Sequence, residues 1–312
     1  MKVLLTGRNG QVGRELRRAL PRELEVIATS REDLDLTRTD GIPSFVRGLR
    51  PDLIINAAAY TAVDRAEQEV DAALAINARA PEVLAREAAR LRIPIVHYST
   101  DYVFDGTKDG PYAETDHPVP LGVYGRSKAI GDAAVLASGA PHLVLRIAWV
   151  YGQRPGNFMT TMLKLFGERE TVRVVDDEIG GPTWCRDVAD ATVRTLAALS
   201  PGGELGSPEG LASRVARAGG VYHLSPAGFT SWHGFATEIA ALAAASASVP
   251  MQLRRLEPIP AHEWVSAADR PRNSRLDSGR LLGELGVSIP DWREGLSRCF
   301  AGLARRSSPA HR

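Results

Sequence analysis

The chain is poor in cysteine: Cys185 and Cys299 are the only two in 312 residues. Two thiols make neither a disulfide framework nor a cysteine-rich zinc site. They fit a reducing compartment, so a cytoplasmic protein without a bound metal is expected. Excess charge is also lacking, with 38 basic against 37 acidic residues and a net charge of +1. That balance speaks against nucleic acid or an acidic membrane surface as partner. No apolar run approaches the roughly 18 residues that a membrane span needs. The opening apolar stretch, Met1 to Thr6, ends too soon for a secretory leader and runs straight into glycine. Lysine is scarce, at four residues (Lys2, Lys108, Lys128 and Lys164). What is present is ordinary globular material, 44% hydrophobic and 24% charged, in a length sufficient for a two-lobed unit.

The first half alternates short apolar runs with amphipathic stretches. Strands are expected at Val3–Thr6, Glu25–Thr29, Asp52–Asn56, Ile95–Ser99 and Leu143–Ile147. Helices are expected at Gln11–Leu20, over one long alanine-rich stretch from Asp64 to Leu91, and before the fifth strand. Such alternation implies a doubly wound parallel α/β sheet of Rossmann type with right-handed crossovers. The second half is less regular. Strands are expected at Val172–Val175 and Val221–Leu224, and helices at Asp187–Leu199 and Ser231–Ser246. Ser200 to Gly220 reads as a mobile surface connection rich in Gly, Ser, Pro and Arg. The division expected is a dinucleotide-binding domain over 1–150, completed by about 184–224. A smaller C-terminal α/β substrate lobe over 151–183 and 225–304 and a disordered tail over 305–312 complete it.

Between the first strand and first helix lies Gly7-Arg8-Asn9-Gly10-Gln11-Val12-Gly13, with G-x-x-G-x-x-G spacing. Glycine allows a tight turn and close approach of backbone N–H groups to a pyrophosphate, and the helix N-terminus offers unpaired donors. Gly7, Asn9, Gly10, Gln11, Val12 and Gly13 are therefore candidate cofactor contacts; the plain alternative is an ordinary glycine-rich turn. At the end of the second strand an acid selects NADH and an arginine accepts the 2′-phosphate of NADPH. Ser30 and Arg31 occupy that place, which favours NADPH with NADH as the alternative. The opposing reading is that Arg31 is a solvated charge and Glu32 or Asp33 takes the acid's part. Asp35 and Leu36 are placed to contact adenine or merely to close a turn. Ala57, Ala58 and Ala59, after the third strand, leave room for a nicotinamide.

Tyr124 and Lys128 form Y-x-x-x-K, which puts both on one helix face. An ammonium beside a phenol lowers the phenol's pKa, so Lys128 is expected to tune Tyr124 as an acid–base group and to hold the nicotinamide ribose. Seven tyrosines and four lysines placed at random in 312 positions would give roughly 0.1 such pairs. Ser99 and Thr100 end the fourth strand, where parallel sheets bind ligands. Either is placed to donate a hydrogen bond to a substrate carbonyl, or else to close a local turn.

Taken with His97-Tyr98-Ser99-Thr100-Asp101-Tyr102-Val103-Phe104, Asn56 to Asp64, Trp149-Val150-Tyr151-Gly152, Gly181-Pro182-Thr183 and Arg270-Pro271-Arg272-Asn273-Ser274, these stretches resemble the extended short-chain dehydrogenase/reductases. Within them the match narrows to the dTDP-4-dehydrorhamnose reductase family over most of residues 1–300. The resemblance implies NAD(P)H-dependent reduction of the C4 ketone of dTDP-4-dehydro-6-deoxy-L-mannose to dTDP-L-rhamnose. It implies Tyr124 as proton donor, Lys128 tuning it and Thr100 on the ketone oxygen. It also implies Thr61, Val63, Tyr102 and Trp149 around the sugar, and Arg270 and Asn273 at the nucleotide or diphosphate. Trp149 read by itself fits a core aromatic, and Arg270 with Arg272 a solvated loop. The chain departs from the family at Asp177-Glu178-Ile179-Gly180-Gly181-Pro182-Thr183, where Asp-Gln is usual before Gly-x-Pro-Thr. Some relatives dimerise through carboxylate-bound magnesium. Glu15 matches one such carboxylate, but Arg186 and Gly302 stand at the others and offer no side-chain oxygen. A homodimer, if formed, is therefore expected without a bridging metal. Two other functions stay open on sequence alone: a 4-ketoreductase for another dTDP-deoxyhexose, and a non-catalytic NADP-binding regulatory subunit of methionine adenosyltransferase.

Overall fold

A computed structural model describes residues 1–307 apart from 204, 206, 247 and 248, with backbone alone for 304–307. Six strands form one sheet: β1 (Lys2–Thr6), β2 (Glu25–Thr29), β3 (Leu53–Asn56), β4 (Ile95–Thr100), β5 (His142–Ile147) and β6 (Gly220–His223). Their order is β6-β5-β4-β3-β1-β2, and every pairing is parallel. The chain steps outward from β1 to β2, then returns to the other side of β1 for β3. The direction of winding thus reverses between β1 and β3, and ligands of such sheets bind beyond the strand C-termini at that point.

The strands are apolar on both faces because helices cover both. On one face Val3, Leu5, Leu53, Ile55, Val96, Leu143 and Leu145 pack on α1 (Gln11–Ala19), α6 (Cys185–Ala198) and α7 (Pro208–Ala218). On the other, the intervening Leu4, Ile54, Ile95 and Val144 pack on α2 (Gly41–Leu49), α3 (Ala80–Leu91) and α4 (Val123–Ala137). Between α4 and α6 lies α5 (Phe158–Glu168). With Trp232–Ala244, Trp292–Ser307 and the parallel pair Thr171–Val175 and Arg255–Ile259 it builds the smaller lobe. Met159, Phe166, Phe235 and Trp292 of that lobe continue the first core cluster.

Three expectations are corrected. The stretch 64–91 is not one helix. Short helices at Val63–Ala66 and Val70–Leu74 lead into a π-turn at Ala75–Arg79 and then α3. The turn brings Asn77 inward, where its amide holds Tyr60 N and O at 2.8 and 3.0 Å and donates to Ser127 Oγ at 3.0 Å. These tertiary bonds outweigh helical regularity. The expected mobile connection 200–220 contains α7, whose Leu211 and Val215 are buried in the core; part of that connection, 204 and 206, lies outside the described residues. Residues 305–307 continue the helix Trp292–Ser307 instead of opening a tail, and 308–312 lie outside the described residues. The helix α2 escaped the sequence reading because Gly41, Pro43 and Gly48 interrupt its pattern; Pro43 sits in the first turn, where no N–H is needed.

Candidate active site

At the switch point the glycine turn closes against the end of β3. Gly7 has φ +76°, and a Cβ there would lie 2.7 Å from the backbone of Ala57 and Ala58. A Cβ on Gly13 would lie 2.2 Å from Gly7 O. The N-terminus of α1 is left without a side-chain cap at Gly10, so its first N–H groups face outward. A cavity of about 610 Å³ opens above this turn. Among its walls are Gly7, Asn9, Gly10, Gln11, Val12, Ser30, Arg31, Asp35, Leu36, Ala57, Ala58 and Ala59, together with Thr61, Ser99, Thr100, Tyr124, Lys128 and Trp149. The N-terminal donors and the space over two glycines fit a dinucleotide's pyrophosphate, and the alanines leave room for a flat ring.

Helix α4 carries the Tyr/Lys pair. Its first N–H, from Val123, donates to Glu67 Oε1 at 2.7 Å, which fixes the start of the helix one residue before Tyr124. Gly125 lets α4 approach the turn after β4, since a Cβ there would meet Tyr102 O at 2.2 Å. Lys128 is 1% exposed. Its ammonium donates to Tyr98 O at 2.5 Å and lies 3.1 Å from His97 Nε2. His97 Nδ1 in turn contacts Asn56 Nδ2 at 3.0 Å, and Asn56 Oδ1 accepts from Thr6 Oγ1 at 2.6 Å. Burial pushes Lys128 down to about 8 against the opposing charge of Asp132, and holds His97 well below its ordinary value. Asp132, also buried, accepts from Ser99 Oγ at 2.6 Å and lies 3.5 Å from Arg146 Nε.

Tyr124 differs from expectation. Burial pushes its phenol up to about 12, a hydrogen bond with Thr100 working the other way. The Lys128 ammonium is held by Tyr98 O and lies beside His97 Nε2, and burial is the largest influence on the phenol. The Thr100 hydroxyl pairs with Asp101 Oδ1 at 3.0 Å and accepts from Tyr102 N at 3.2 Å. Thus Thr100 closes a local turn and also lines the cavity.

The remaining expected residues divide. Trp149 stacks on Trp232 with ring centroids 3.4 Å apart, donates to Ser274 Oγ at 3.0 Å, and still presents to the cavity. Tyr102 meets Tyr124 edge-on at 5.9 Å. Val63, half-buried, opens the short helix after β3. Arg270 is not a free cation: Nη2 donates to Asp64 Oδ2 at 2.8 Å, tying the lobe to the segment after β3. Asn273 stands apart from the cavity, with its amide donating to Lys108 O at 2.6 Å and Gly110 O at 2.8 Å and its oxygen accepting from Arg275. Gly13 acts from beneath the turn. Asp35 caps its turn by accepting from Thr37 N and Oγ1, and lines the cavity as well.

At the end of β2 the sequence reading missed Arg8. Its guanidinium lies 3.2 Å from Asp33 Oδ2, and that carboxylate accepts from Ser30 N at 2.8 Å and Ser30 Oγ at 2.7 Å. Arg31 is 79% exposed and lies 3.6 Å from Asp35. The signal for Arg8 was its place inside the glycine motif, between Gly7 and Asn9. Asn157 was missed too. It caps α5 and donates to Gln11 Oε1 at 3.3 Å, while Gln11 Nε2 donates to Val150 O at 3.2 Å, so the turn and the lobe are tied together. Glu15 lies 3.0 Å from both Arg18 and Arg186. Among the described residues no cluster suited to a metal ion occurs, and no helix is long and apolar enough to cross a membrane.

The family model of the RmlD substrate binding domain matches residues 1–305. A dTDP-4-dehydrorhamnose reductase of Burkholderia thailandensis is 43% identical over 306 residues, covering 97% of this chain and 99% of that one. A dTDP-4-dehydrorhamnose reductase of Clostridium acetobutylicum superposes with a TM-score of 0.85 at 33% identity, covering 97% of this chain and 99% of the other. One from Bacillus anthracis, solved in complex with NADP, superposes with a TM-score of 0.83 at 32% identity, covering 96% and 99%.

Proposed function

We propose, from the premise that this chain belongs to the RmlD family and is a nicotinamide-dependent dTDP-4-dehydrorhamnose reductase, a specific division of labour in its site. The reaction is reduction of the C4 ketone of dTDP-4-dehydro-6-deoxy-L-mannose to dTDP-L-rhamnose, with NADPH preferred. One observation carries the reading: Thr100, Tyr124 and Lys128 line the same cavity as the glycine turn at the sheet's switch point.

When bound, the nicotinamide supplies the hydride. Gly7, Asn9, Gly10, Gln11, Val12 and the N-terminus of α1 hold the pyrophosphate, with Gly13 making room beneath. Ala57, Ala58 and Ala59 flank the nicotinamide half, and Asp35 and Leu36 the adenine. Ser30 with Arg31 and Arg8 meets the 2′-phosphate; guanidinium groups suit phosphate in charge and shape. Tyr124, held protonated by burial at neutral pH, donates its proton to the developing alkoxide, which is far more basic than a phenolate. Thr100 orients the ketone oxygen, with Ser99 braced behind it on Asp132. An ammonium has three donors. Lys128 uses one on Tyr98 O and lies beside His97 Nε2, so a donor remains for the nicotinamide ribose. Thr61, Val63, Tyr102 and Trp149 surround the sugar, while Arg270 positions the lobe through Asp64.

The test is oxidation of NADPH and of NADH at 340 nm with enzymatically generated dTDP-4-dehydrorhamnose, the sugar product being identified by NMR. Turnover to dTDP-L-rhamnose is expected, faster with NADPH. Tyr124→Phe is expected to lose about 10²–10⁴-fold in kcat while binding NADPH normally. Cofactor binding without turnover in the wild type would overturn the reading and favour another ketosugar or a regulatory role.

A further inference from the structure

Asp101 is a buried carboxyl with no part in hydride transfer or in binding the cofactor. It follows β4 directly, is 2% exposed and lines the cavity beside Thr100. Among the described residues no cation is paired with it. The titratable groups around it are the phenols of Tyr102 on its own turn and Tyr124 on α4. From the lobe the Ser274 hydroxyl faces it. That hydroxyl already accepts from Trp149 Nε1 at 3.0 Å and lies 3.4 Å from Ile179 O, so Asp101 Oδ2 is left without a well-formed hydrogen bond. An unpaired carboxylate in such a place is costly, and the neutral acid is favoured.

The hydrogen bonds then have one consistent direction. Thr100 Oγ1 has two lone pairs and one proton. It accepts from Tyr102 N at 3.2 Å and lies 3.0 Å from Asp101 Oδ1. When Asp101 is protonated it donates to Thr100, and the Thr100 proton is free to point into the cavity, to the ketone oxygen before reduction and to the Tyr124 phenolate after it. When Asp101 is ionised it claims the Thr100 proton for itself.

We propose that Asp101 is the proton reserve behind the donor, acting through Thr100 as a positioning residue that reloads Tyr124. The step rests on Tyr124 being the donor. As C4 gains hydride, the Tyr124 O–H bond breaks and its proton forms the new alcohol O–H, leaving the electron pair on the phenolate. The Thr100 proton moves to that phenolate, and the Asp101 proton moves to the Thr100 oxygen. Asp101 is left as carboxylate and takes a proton from solvent between turnovers. One hydride and one proton are consumed, as the reduction of a ketone requires. Burial sets the direction: it pushes Asp101 up to about 7 and Tyr124 to about 12, so proton flow from the carboxyl to the phenolate is downhill.

The required form is the protonated one, so kcat under repeated turnover should be level below pH 7 and fall as pH rises through about 7. Asp101→Asn keeps size and hydrogen bonding but has no proton to release. Its kcat under repeated turnover should fall about 10-fold or more, with NADPH and substrate affinity within about threefold and no inflection near neutrality. In mixtures of light and heavy water the wild type should give a curved proton inventory, since more than one proton moves. A wild-type rate and pH midpoint in Asp101→Asn would overturn the relay, and so would a linear inventory, which decides the matter should that variant not fold. Both results leave Tyr124 as donor if Tyr124→Phe is inactive; a fully active Tyr124→Phe overturns the donor assignment itself.

Discussion

Replacing Gly13 by alanine adds one methyl group at the tightest point of the cofactor turn. The new Cβ would lie 2.2 Å from Gly7 O and 2.8 Å from Gly7 C, distances that real Cβ atoms essentially never show. Both atoms are backbone, and Gly7 O is already engaged by Gly10 N–H at 2.9 Å, so neither can swing aside as a side chain would. Relief needs a shift of about 1 Å, a displacement large enough to cost a ligand site on the order of 100-fold. Folding suffers less. Overpacking costs about 1–3 kcal/mol, and the better helix propensity of alanine returns up to ~1 kcal/mol. Net destabilisation is therefore about 0–2 kcal/mol, and Gly13→Ala should fold while losing about 10- to 100-fold in NADPH affinity. Gly48→Ala supplies the control. It is an exposed helical site on α2 with nothing within 4 Å of its added Cβ. Stability there should rise by about 0.5–1 kcal/mol with cofactor affinity unchanged. Urea melts and fluorescence titration with NADPH measure both quantities. Wild-type NADPH affinity in Gly13→Ala, or weakened affinity in Gly48→Ala, would refute the steric argument.

Arg8→Ala and Arg31→Ala should each weaken NADPH by about 10-fold, the scale of a charged hydrogen bond, while NADH affinity stays within twofold. Parallel titrations decide whether both guanidinium groups share the 2′-phosphate; equal losses for the two cofactors would remove that role. Leu211→Ala should cost about 2–5 kcal/mol in urea unfolding, because Leu211 is 1% exposed against β5 and its neighbours. A loss under 0.5 kcal/mol would return the segment around α7 to a loosely held connection.

The first half of the chain was legible because its signals are local. Short unbroken apolar runs mark β1 to β5, and the turn Gly7–Gly13 needs only its neighbours in sequence to be read. The i,i+4 spacing likewise put Tyr124 and Lys128 on one face of α4. What failed depended on partners distant in sequence. Asn77 bends its helix into a π-turn to reach Tyr60 and Ser127. Asn273 spends its amide on the carbonyls of Lys108 and Gly110 rather than facing the cavity. α7 looked mobile by composition, since a helix with few apolar residues shows its worth only when Leu211 and Val215 meet the sheet.

Electrostatics divides along the same line. Local pattern was enough to put a phenol and an ammonium on one helix face, to give the Rossmann architecture and to place the phosphate turn. Their charges depend on packing. Desolvation depends on how deeply β4, α4 and the lobe enclose each group. That enclosure raises Tyr124, lowers Lys128, and leaves Asp101 a carboxyl without a counter-ion at the end of β4.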